Sequence, residues 1–261
     1  MYVAGVDVGS TATKAVVLND GKLAGKHVMP TGTDHVKTAS ACLDAAVRAA
    51  GDLISRDLAY VVSTGYGRAM VDIADKTVTE ITCHARGARA FVESAHVVVD
   101  IGGQDSKVIR LDEDGMVADF VMNDKCAAGT GRFLEVMAER LDVPLSDFGK
   151  MSRAARKRAM ISSTCTVFAE SEVISLLSHG VGREPIIRGL CDAVADRLVG
   201  MVHRVGLAPD VVMTGGVSQN DGVRLSLERK LALRVIVPSM SQYAGAYGAA
   251  VIAQESAAKG R

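Results

Sequence analysis

One octet occurs twice in this chain of 261 residues, as Asp7-Val-Gly-Ser-Thr-Ala-Thr-Lys14 and as Asp100-Ile-Gly-Gly-Gln-Asp-Ser-Lys107. Each copy follows an apolar run and leads into another, so each predicts a β-hairpin with an acid, glycines and hydroxyl or amide groups at the bend. Backbone N–H groups in such turns bind phosphate, and carboxylates hold magnesium through water. The repeat therefore predicts a two-lobed nucleotide clamp in which Asp7 and Asp100 position Mg²⁺.

Composition agrees with a folded protein and excludes several classes. Hydrophobic residues make up 48% of the chain and charged residues 23%, which is typical of globular proteins. Thirty basic and thirty acidic residues cancel, leaving no electrostatic footprint for nucleic acid. No apolar run approaches the roughly 20 residues needed to span a bilayer, and the N-terminus lacks a basic-then-apolar signal. We expect a cytoplasmic protein with no nucleic-acid or membrane partner.

Apolar periodicity and turn residues predict an α/β chain in which the second half repeats the first. The predicted strands are Tyr2–Val6, Ala15–Leu18, Leu23–Met29, Tyr60–Ser63, Val97–Ile101, Ser106–Leu111, Val117–Met122 and Val211–Thr214. The predicted helices are Val36–Ala50, His84–Val92, Phe133–Leu141, Val167–Leu177 and Ile186–Val205. Because no linker separates the halves, the octets mark the lobes: 1–92 with 243–261 as lobe I, and 93–242 as lobe II.

The remaining glycine motifs narrow the nucleotide-binding class. A Walker loop is absent, and Gly129-Thr-Gly131 lacks the third glycine of a dinucleotide fingerprint. Gly215-Gly216 follows an apolar strand, where glycine serves either a plain turn or close approach to a ligand. With Ala244–Gly248 near the end of the chain, the motifs follow in a definite order: a first phosphate-binding motif, a second one, an adenosine-binding motif and a connecting helix. This order resembles the ATPase fold of actin, Hsp70 chaperones and sugar kinases, which implies two ribonuclease-H-like lobes, mixed sheets flanked by helices, and nucleotide in the cleft.

The five cysteines fall into two groups. Their odd number, in a chain with no visible export signal, argues against a disulfide framework. Cys42 and Cys191 lie in helical patterns and Cys83 stands beside His84, so we expect these three to be buried packing residues. Cys126 precedes a predicted helix in a glycine-bearing loop, and Cys165 lies in hydroxyl-rich N-cap chemistry, so both are predicted at helix N-termini, which favour a thiolate. Spacing alone leaves open whether the pair binds metal or only caps helices.

Two longer stretches carry a closer resemblance: Asn123-Asp-Lys-Cys-Ala-Ala-Gly-Thr-Gly-Arg-Phe-Leu-Glu135 and Ile161-Ser-Ser-Thr-Cys-Thr-Val-Phe-Ala-Glu-Ser-Glu-Val173. They resemble the signatures of the ATPase activators (archerases) of 2-hydroxyacyl-CoA dehydratases, a branch of the family that includes the benzoyl-CoA reductase ATPase subunits. The resemblance implies a homodimer that holds one [4Fe-4S] cluster through Cys126 and Cys165 of each chain. It also implies a ferredoxin or flavodoxin donor, ATP-driven electron transfer, and an iron–sulfur dehydratase as the acceptor that alone binds the acyl-CoA.

The same resemblance assigns the nucleotide site. Asp7 and Asp100 would position magnesium and water, with Gln104 or Asp100 orienting the attacking water. Lys14 has an alternative as a surface strand residue, and Gln104 could simply close its hairpin. The implied phosphate contacts are Ser10, Thr11, Thr13, Lys14, Gly102, Gly103 and Gln104; the implied border of the adenosine is Gly215, Gly216, Gln219 and Gln242.

Three alternatives remain open from sequence. A benzoyl-CoA reductase ATPase subunit shares both the cluster and the cleft. A sugar kinase of the same fold would use Asp105 or Asp124 as its base, yet it needs no paired thiols. A nucleotide-dependent scaffold would leave the cysteines as packing residues.

Overall fold

The computed structural model describes residues 1–162 and 165–259. The strands are β1 (Tyr2–Val8), β2 (Ala12–Asn19), β3 (Lys22–Pro30), β4 (Val61–Thr64), β5 (Lys76–Thr77), β6 (Val97–Ile101), β7 (Ser106–Leu111), β8 (Val117–Asn123), β9 (Val211–Thr214) and β10 (Val235–Ile236). The α-helices are α1 (His35–Ala49), α2 (Glu80–Phe91), α3 (Gly131–Leu141), α4 (Phe148–Ala154), α5 (Thr166–Ser178), α6 (Arg183–Val205), α7 (Asp221–Leu231) and α8 (Ala244–Lys259).

The first unit, 1–95 with 111–118 and 238–261, contains a five-stranded mixed sheet in the order β3-β2-β1-β4-β5. Strands β1, β2 and β3 pair antiparallel, whereas β1, β4 and β5 pair parallel. Both faces of β1 are buried: Ala4 and Val6 belong to the cluster that includes α1, while Val3 packs with residues of α2 and α8. A central strand covered on both sides is continuously apolar, which explains why β1 shows no polar alternation.

The second unit, 96–110 with 119–237, repeats this topology with the order β10-β9-β6-β7-β8. Strand β6 pairs antiparallel with β7 and parallel with β9, and β9 pairs parallel with β10. Its core joins β6 and β9 to the apolar faces of α3, α6 and α7, with Phe133 and Ile186 among its fully buried side chains. Two mixed sheets flanked by helices confirm the predicted ribonuclease-H-like fold class.

Most predicted elements are confirmed, and β6, β7 and β9 have the predicted bounds. Four elements were not predicted, namely β5, β10, α4 and α7. Two of them have only two residues each, too few for a periodicity signal; for α7 a signal was present, because Asn220 caps the helix through bonds from the N–H groups of Gly222 and Val223. The predicted lobe I did not include 111–118, and the predicted lobe II contained Gln242, which lies in the first unit.

Candidate functional site

The two octets fold into equivalent hairpins, each with its acid and its lysine face to face. In the β1–β2 register Asp7 pairs with Lys14, and in the β6–β7 register Asp100 pairs with Lys107. The Nζ of Lys14 lies 3.8 Å from Oδ2 of Asp7, and the Nζ of Lys107 lies 3.4 Å from Oδ2 of Asp100. Both carboxylates are almost fully buried, at 4% and 2% exposure. Each hairpin thus holds one buried acid against one cation.

The lysines differ in what surrounds them. The Lys14 side chain is 17% exposed, whereas that of Lys107 is 3% exposed and also contacts Oδ2 of Asp105 at 2.8 Å. Lys107 is therefore held between two carboxylates, while Lys14 keeps access to solvent. Lys107 was not among the predicted site residues, although its position at the end of the second octet was a sufficient signal.

In the first hairpin turn the hydroxyl groups have unequal roles. Ser10 is half-buried and Thr11 exposed, so both hydroxyls can meet a phosphate. Thr13 is fully buried, and its Oγ1 lies 2.9 Å from Oγ1 of Thr31. Because the Thr31 hydroxyl donates to the carbonyl of Gly9 at 2.7 Å, Thr13 is the donor to Thr31. Thr13 was expected to present its hydroxyl to a phosphate. In this structure the hydroxyl points inward and supports the turn through its hydrogen bond to Thr31.

The second hairpin turn is built on glycine. The Gly102 N–H donates to the carbonyl of Asp105 at 3.0 Å, and a Cβ on Gly102 would stand 2.4 Å from Oδ1 of Asp105. Gly103 is half-buried and Gln104 is exposed at the tip. The turn therefore presents Gln104 outward while Asp105 folds back toward Lys107.

A second repeat, which was not predicted from the sequence, lies beside both acids in the sheets. Val61-Val-Ser-Thr-Gly65 and Val211-Val-Met-Thr-Gly215 form β4 and β9 with their following turns. Thr64 pairs with Asp7 in register and Thr214 with Asp100, and the Thr214 hydroxyl donates to Oδ1 of Asp100 at 2.8 Å. Gly65 and Gly215 both have positive φ, +89° and +83°, which glycine adopts without strain.

His84 is a further residue beside Asp7. It is 6% exposed, and a Cβ on Gly245 would lie 2.8 Å from Oδ2 of Asp7 and 3.0 Å from Nε2 of His84. The carboxylate and the imidazole thus border the same small space above Gly245. His84 was not among the predicted site residues, because nothing local in the sequence connects it with Asp7.

The predicted adenosine residues divide between the units. Gly215, Gly216 and Gln219 lie at the end of β9 and in the short helical turn Gly216–Gln219, where Gly216 and Gln219 are exposed. Gln242 lies in the first unit, half-buried in the turn Ser241–Tyr243 before α8.

Exposure separates the five cysteines into the predicted groups. Cys42, Cys83 and Cys191 are fully buried, which confirms their assignment as packing residues, and burial raises the pKa of each thiol to about 12. Cys126 and Cys165 are free and only half-buried. Since the thiolate is the metal-binding form, the half-buried pair are the cysteines suited to ligation.

The two accessible cysteines precede neighbouring helices in different ways. Cys165 is the N-cap of α5, as predicted; Ser163 and Thr164 of its motif lie outside the described residues. Cys126 is not at the N-terminus of α3, contrary to expectation, because Thr130 is the N-cap. The first N–H groups of α3 instead bond to the second hairpin: Gly131 to the Gly102 carbonyl at 2.9 Å and Arg132 to the Gly103 carbonyl at 2.7 Å.

The donor set fits an iron–sulfur cluster only if two chains share it. A [4Fe-4S] cluster takes four thiolates, and this chain has two accessible thiols. Helices α3 and α5, which follow these cysteines, pack together, and Arg140 pairs with Glu170 across them. Within residues 1–162 and 165–259, no three His, Cys, Asp or Glu side chains form a metal-binding group. Two thiols from each of two copies would complete the set.

Buried acids facing lysines in paired ribonuclease-H-like hairpins define an ATPase of the actin-like class. The model of the BadF/BadG/BcrA/BcrD ATPase family matches residues 4–253, and the chain belongs to this family.

Relatives within the family are similar over nearly their full length. The chain is 48% identical to an (R)-2-hydroxyglutaryl-CoA dehydratase activating ATPase of Acidaminococcus fermentans, covering 99% of both chains. It is 50% identical to an activator of lactoyl-CoA dehydratase of Anaerotignum propionicum, over 99% of this chain and 100% of the other. A solved activator of the 2-hydroxyisocaproyl-CoA dehydratase from Clostridium difficile, with bound ADPNP, superposes with a TM-score of 0.94 at 43% identity, covering 100% and 97%.

Across the described part of the chain, no helix is both long and apolar enough to cross a bilayer.

Proposed function

We propose that this protein uses ATP to deliver single electrons to a 2-hydroxyacyl-CoA dehydratase, and that two copies hold one [4Fe-4S] cluster through Cys126 and Cys165. The observation that carries the proposal is the contrast between these half-buried thiols and the three buried ones. The cluster, when bound, supplies a one-electron redox centre. The acyl-CoA itself binds to the dehydratase, and relatives activate dehydratases with different acyl groups.

The hairpins supply the nucleotide chemistry of the proposal. Ser10, Thr11 and Lys14 bind phosphate from one hairpin, and the Gly102-Gly103-Gln104 turn binds it from the other, through donors other than the Gly102 N–H, which donates to the carbonyl of Asp105. Asp7 and Asp100 hold magnesium and its water, because hard oxygen ligands suit this ion. Gln104 or Asp100 orients the attacking water. The adenosine is bordered by Gly215, Gly216, Gln219 and Gln242. Thr13 supports the first hairpin turn through its hydrogen bond to Thr31.

Dimerisation is supported by the surface next to Cys165. Val167 and Phe168, two and three residues beyond it, are 66% and 64% exposed, and Ile174 on the same helix is 52% exposed. Neighbouring large apolar side chains left in water are typical of association surfaces. A two-fold axis beside them brings equal surfaces together and supplies the second pair of thiols.

The proposed partners are those that the family resemblance implies. A low-potential one-electron donor, a ferredoxin or flavodoxin, reduces the protein, and an iron–sulfur dehydratase accepts the electron. Both partners and an oxygen-sensitive cluster suit the cytoplasm of an anaerobic cell.

Anaerobic purification tests the proposal. We expect a brown homodimer with about four irons per dimer, measured by metal analysis, light scattering and the visible spectrum. Cys126→Ser and Cys165→Ser should each abolish the colour, whereas Cys42→Ala, at a buried thiol, should keep it. A monomeric, iron-free wild type purified without air would overturn the redox proposal, and brown Cys126→Ser or Cys165→Ser protein would overturn the ligand assignment.

A further inference from the structure

The loop between β8 and α3, residues 124–130, is held from within by one buried amide. Asn123 ends β8 and is 7% exposed. Its Nδ2 donates to the carbonyl of Cys126 at 2.8 Å and to that of Ala128 at 3.1 Å. A single side chain therefore fixes the backbone of Cys126 and the backbone two residues further on.

The other carbonyl of this turn is also bonded. Thr130 donates to the carbonyl of Ala127 through both its N–H, at 3.0 Å, and its hydroxyl, at 2.7 Å. The carbonyls of residues 126, 127 and 128 thus all accept hydrogen bonds from residues at the two ends of the loop. Gly129 allows this turn through its positive φ of +88°.

The loop is continuous with the second hairpin. Immediately after Thr130, the N–H groups of Gly131 and Arg132 donate to the carbonyls of Gly102 and Gly103. Hydrogen bonds therefore join the hairpin turn to the first residues of α3, and further hydrogen bonds join the loop before α3 to Asn123.

We propose that Asn123 is a positioning residue for the metal-ligating thiol of Cys126, and that it makes the loop one body with the Gly102–Gly103 turn. This inference rests on the proposed function. An amide is needed at this position because two carbonyls must each accept a hydrogen bond, and Asn is the short side chain that offers two N–H donors from one atom.

The substitution Asn123→Asp keeps the shape and replaces the donor nitrogen by a carboxylate oxygen that repels both carbonyls. Asn123→Ala removes the donors without adding charge. Asn19→Asp is the matched control, since the Oδ1 of Asn19 accepts a bond from the Met1 backbone nitrogen and an Asp there keeps that bond.

Two measurements separate positioning from general destabilisation. The first is the alkylation rate of each cysteine in metal-free protein, by mass spectrometry after timed iodoacetamide. We expect Asn123→Asp to raise the Cys126 rate relative to Cys165 by about tenfold, because two buried hydrogen bonds are lost. Cys42, Cys83 and Cys191 should stay unreactive, and Asn19→Asp should match the wild type.

The second measurement is the rate at which a chelator removes iron from the anaerobic dimer, which should rise about tenfold in Asn123→Asp for the same reason. Asn123→Ala should raise both rates as well. If Asn123→Asp makes the buried cysteines reactive, and so unfolds the protein, Asn123→Ala becomes the decisive variant. An iron-free wild type would overturn the proposed function and leave the alkylation ratio as the test of Asn123. An iron-containing wild type, with unchanged alkylation ratio and iron-loss rate in the variants, would overturn the role of Asn123 alone.

Discussion

Lys14 and Lys107 end the two octets, but only one of them is part of the interior. Lys107 is almost completely buried and lies within 3.4 Å of Asp100 and 2.8 Å of Asp105. Lys14 is more exposed and has a longer contact with Asp7. A buried ion pair is costly to break from one side, since the remaining charge stays desolvated. The first lysine is therefore expected to serve the ligand and the second to serve the fold.

Substituting each lysine by methionine tests this division. Lys107→Met should lower the free energy of unfolding by about 3 kcal/mol, because it removes the buried cation that faces Asp100 and Asp105. Lys14→Met should lower it by less, about 1 kcal/mol, because Lys14 is 17% exposed and its contact with Asp7 is longer, at 3.8 Å; it should also raise the KM for ATP. Urea unfolding and steady-state ATPase assays measure these effects. Equal losses of stability in the two variants would contradict the division.

The cysteines differ in reactivity through burial. A thiol whose pKa is about 12, as for Cys42, Cys83 and Cys191, has about one molecule in ten thousand as thiolate at pH 8, and the thiolate is the reactive form. Because burial raises the folded-state pKa, these thiols stay protonated and slow until the pH approaches 12.

Timed alkylation of the metal-free protein between pH 7 and 9 should therefore modify Cys126 and Cys165 well before the other three. Protein unfolded in guanidinium is the control, in which all five should react alike. Early modification of Cys42, Cys83 or Cys191 in folded protein would show that burial does not protect them.

At the scale of elements, α8 packs unusually close to its neighbours. A Cβ on Gly248 would stand 1.8 Å from the carbonyl of Cys83 in α2, and one on Gly5 would stand 2.1 Å from the carbonyl of Ala246. At each of these points one backbone lies against another, so a new side chain could be accommodated only by moving a whole helix or strand. The close approach of α2 thus requires glycine at position 248 of α8, and the close approach of α8 requires glycine at position 5 of β1.

Gly248→Ala should lower the free energy of unfolding by at least about 3 kcal/mol, since overpacking against backbone forces the elements apart. Gly200→Ala is the matched control in a helix interior, because a Cβ there meets no atom within 4 Å among the described residues. It should raise stability by about 0.5–1 kcal/mol through helix propensity. Thermal and urea unfolding compare the two, and a neutral Gly248→Ala would contradict the close packing.

At the scale of the whole molecule, the proposed dimer depends on apolar side chains that the single chain leaves in water. Phe168 lies three residues beyond Cys165 and is 64% exposed. Its removal costs the isolated fold little, because surface substitutions away from special features usually stay within about 0.5 kcal/mol. Its environment is expected to change only on association.

Phe168→Asp should therefore give a monomer that unfolds at nearly the wild-type temperature and retains no iron. Phe120→Asp, at a 50% exposed phenylalanine on β8, is the control and should remain a brown dimer. Light scattering, iron analysis and thermal unfolding report the three properties. A dimeric, iron-containing Phe168→Asp protein would place the dimer surface elsewhere.

The sequence alone determined the features that depend on neighbours along the chain. Apolar runs around each octet predicted β1, β2, β6 and β7, since strand pairing through a short turn is local. Burial of Cys42 and Cys191 followed from helical patterns, and the places of Cys126 and Cys165 in segments before helices followed from glycine and hydroxyl composition. Membership of the ATPase family was likewise indicated by contiguous motifs.

Only the tertiary structure decided which side chains the distant segments bring together. Thr13 turns inward because Thr31, at the end of β3, accepts its hydrogen bond. Lys107 is locked because Asp105 folds back onto it, and His84 reaches the space beside Asp7 because Gly245 leaves room. Cys126 lies away from a helix N-terminus because the Gly102 and Gly103 carbonyls take the first N–H groups of α3. Periodicity reports the buried face of an element, whereas these contacts depend on which elements meet there.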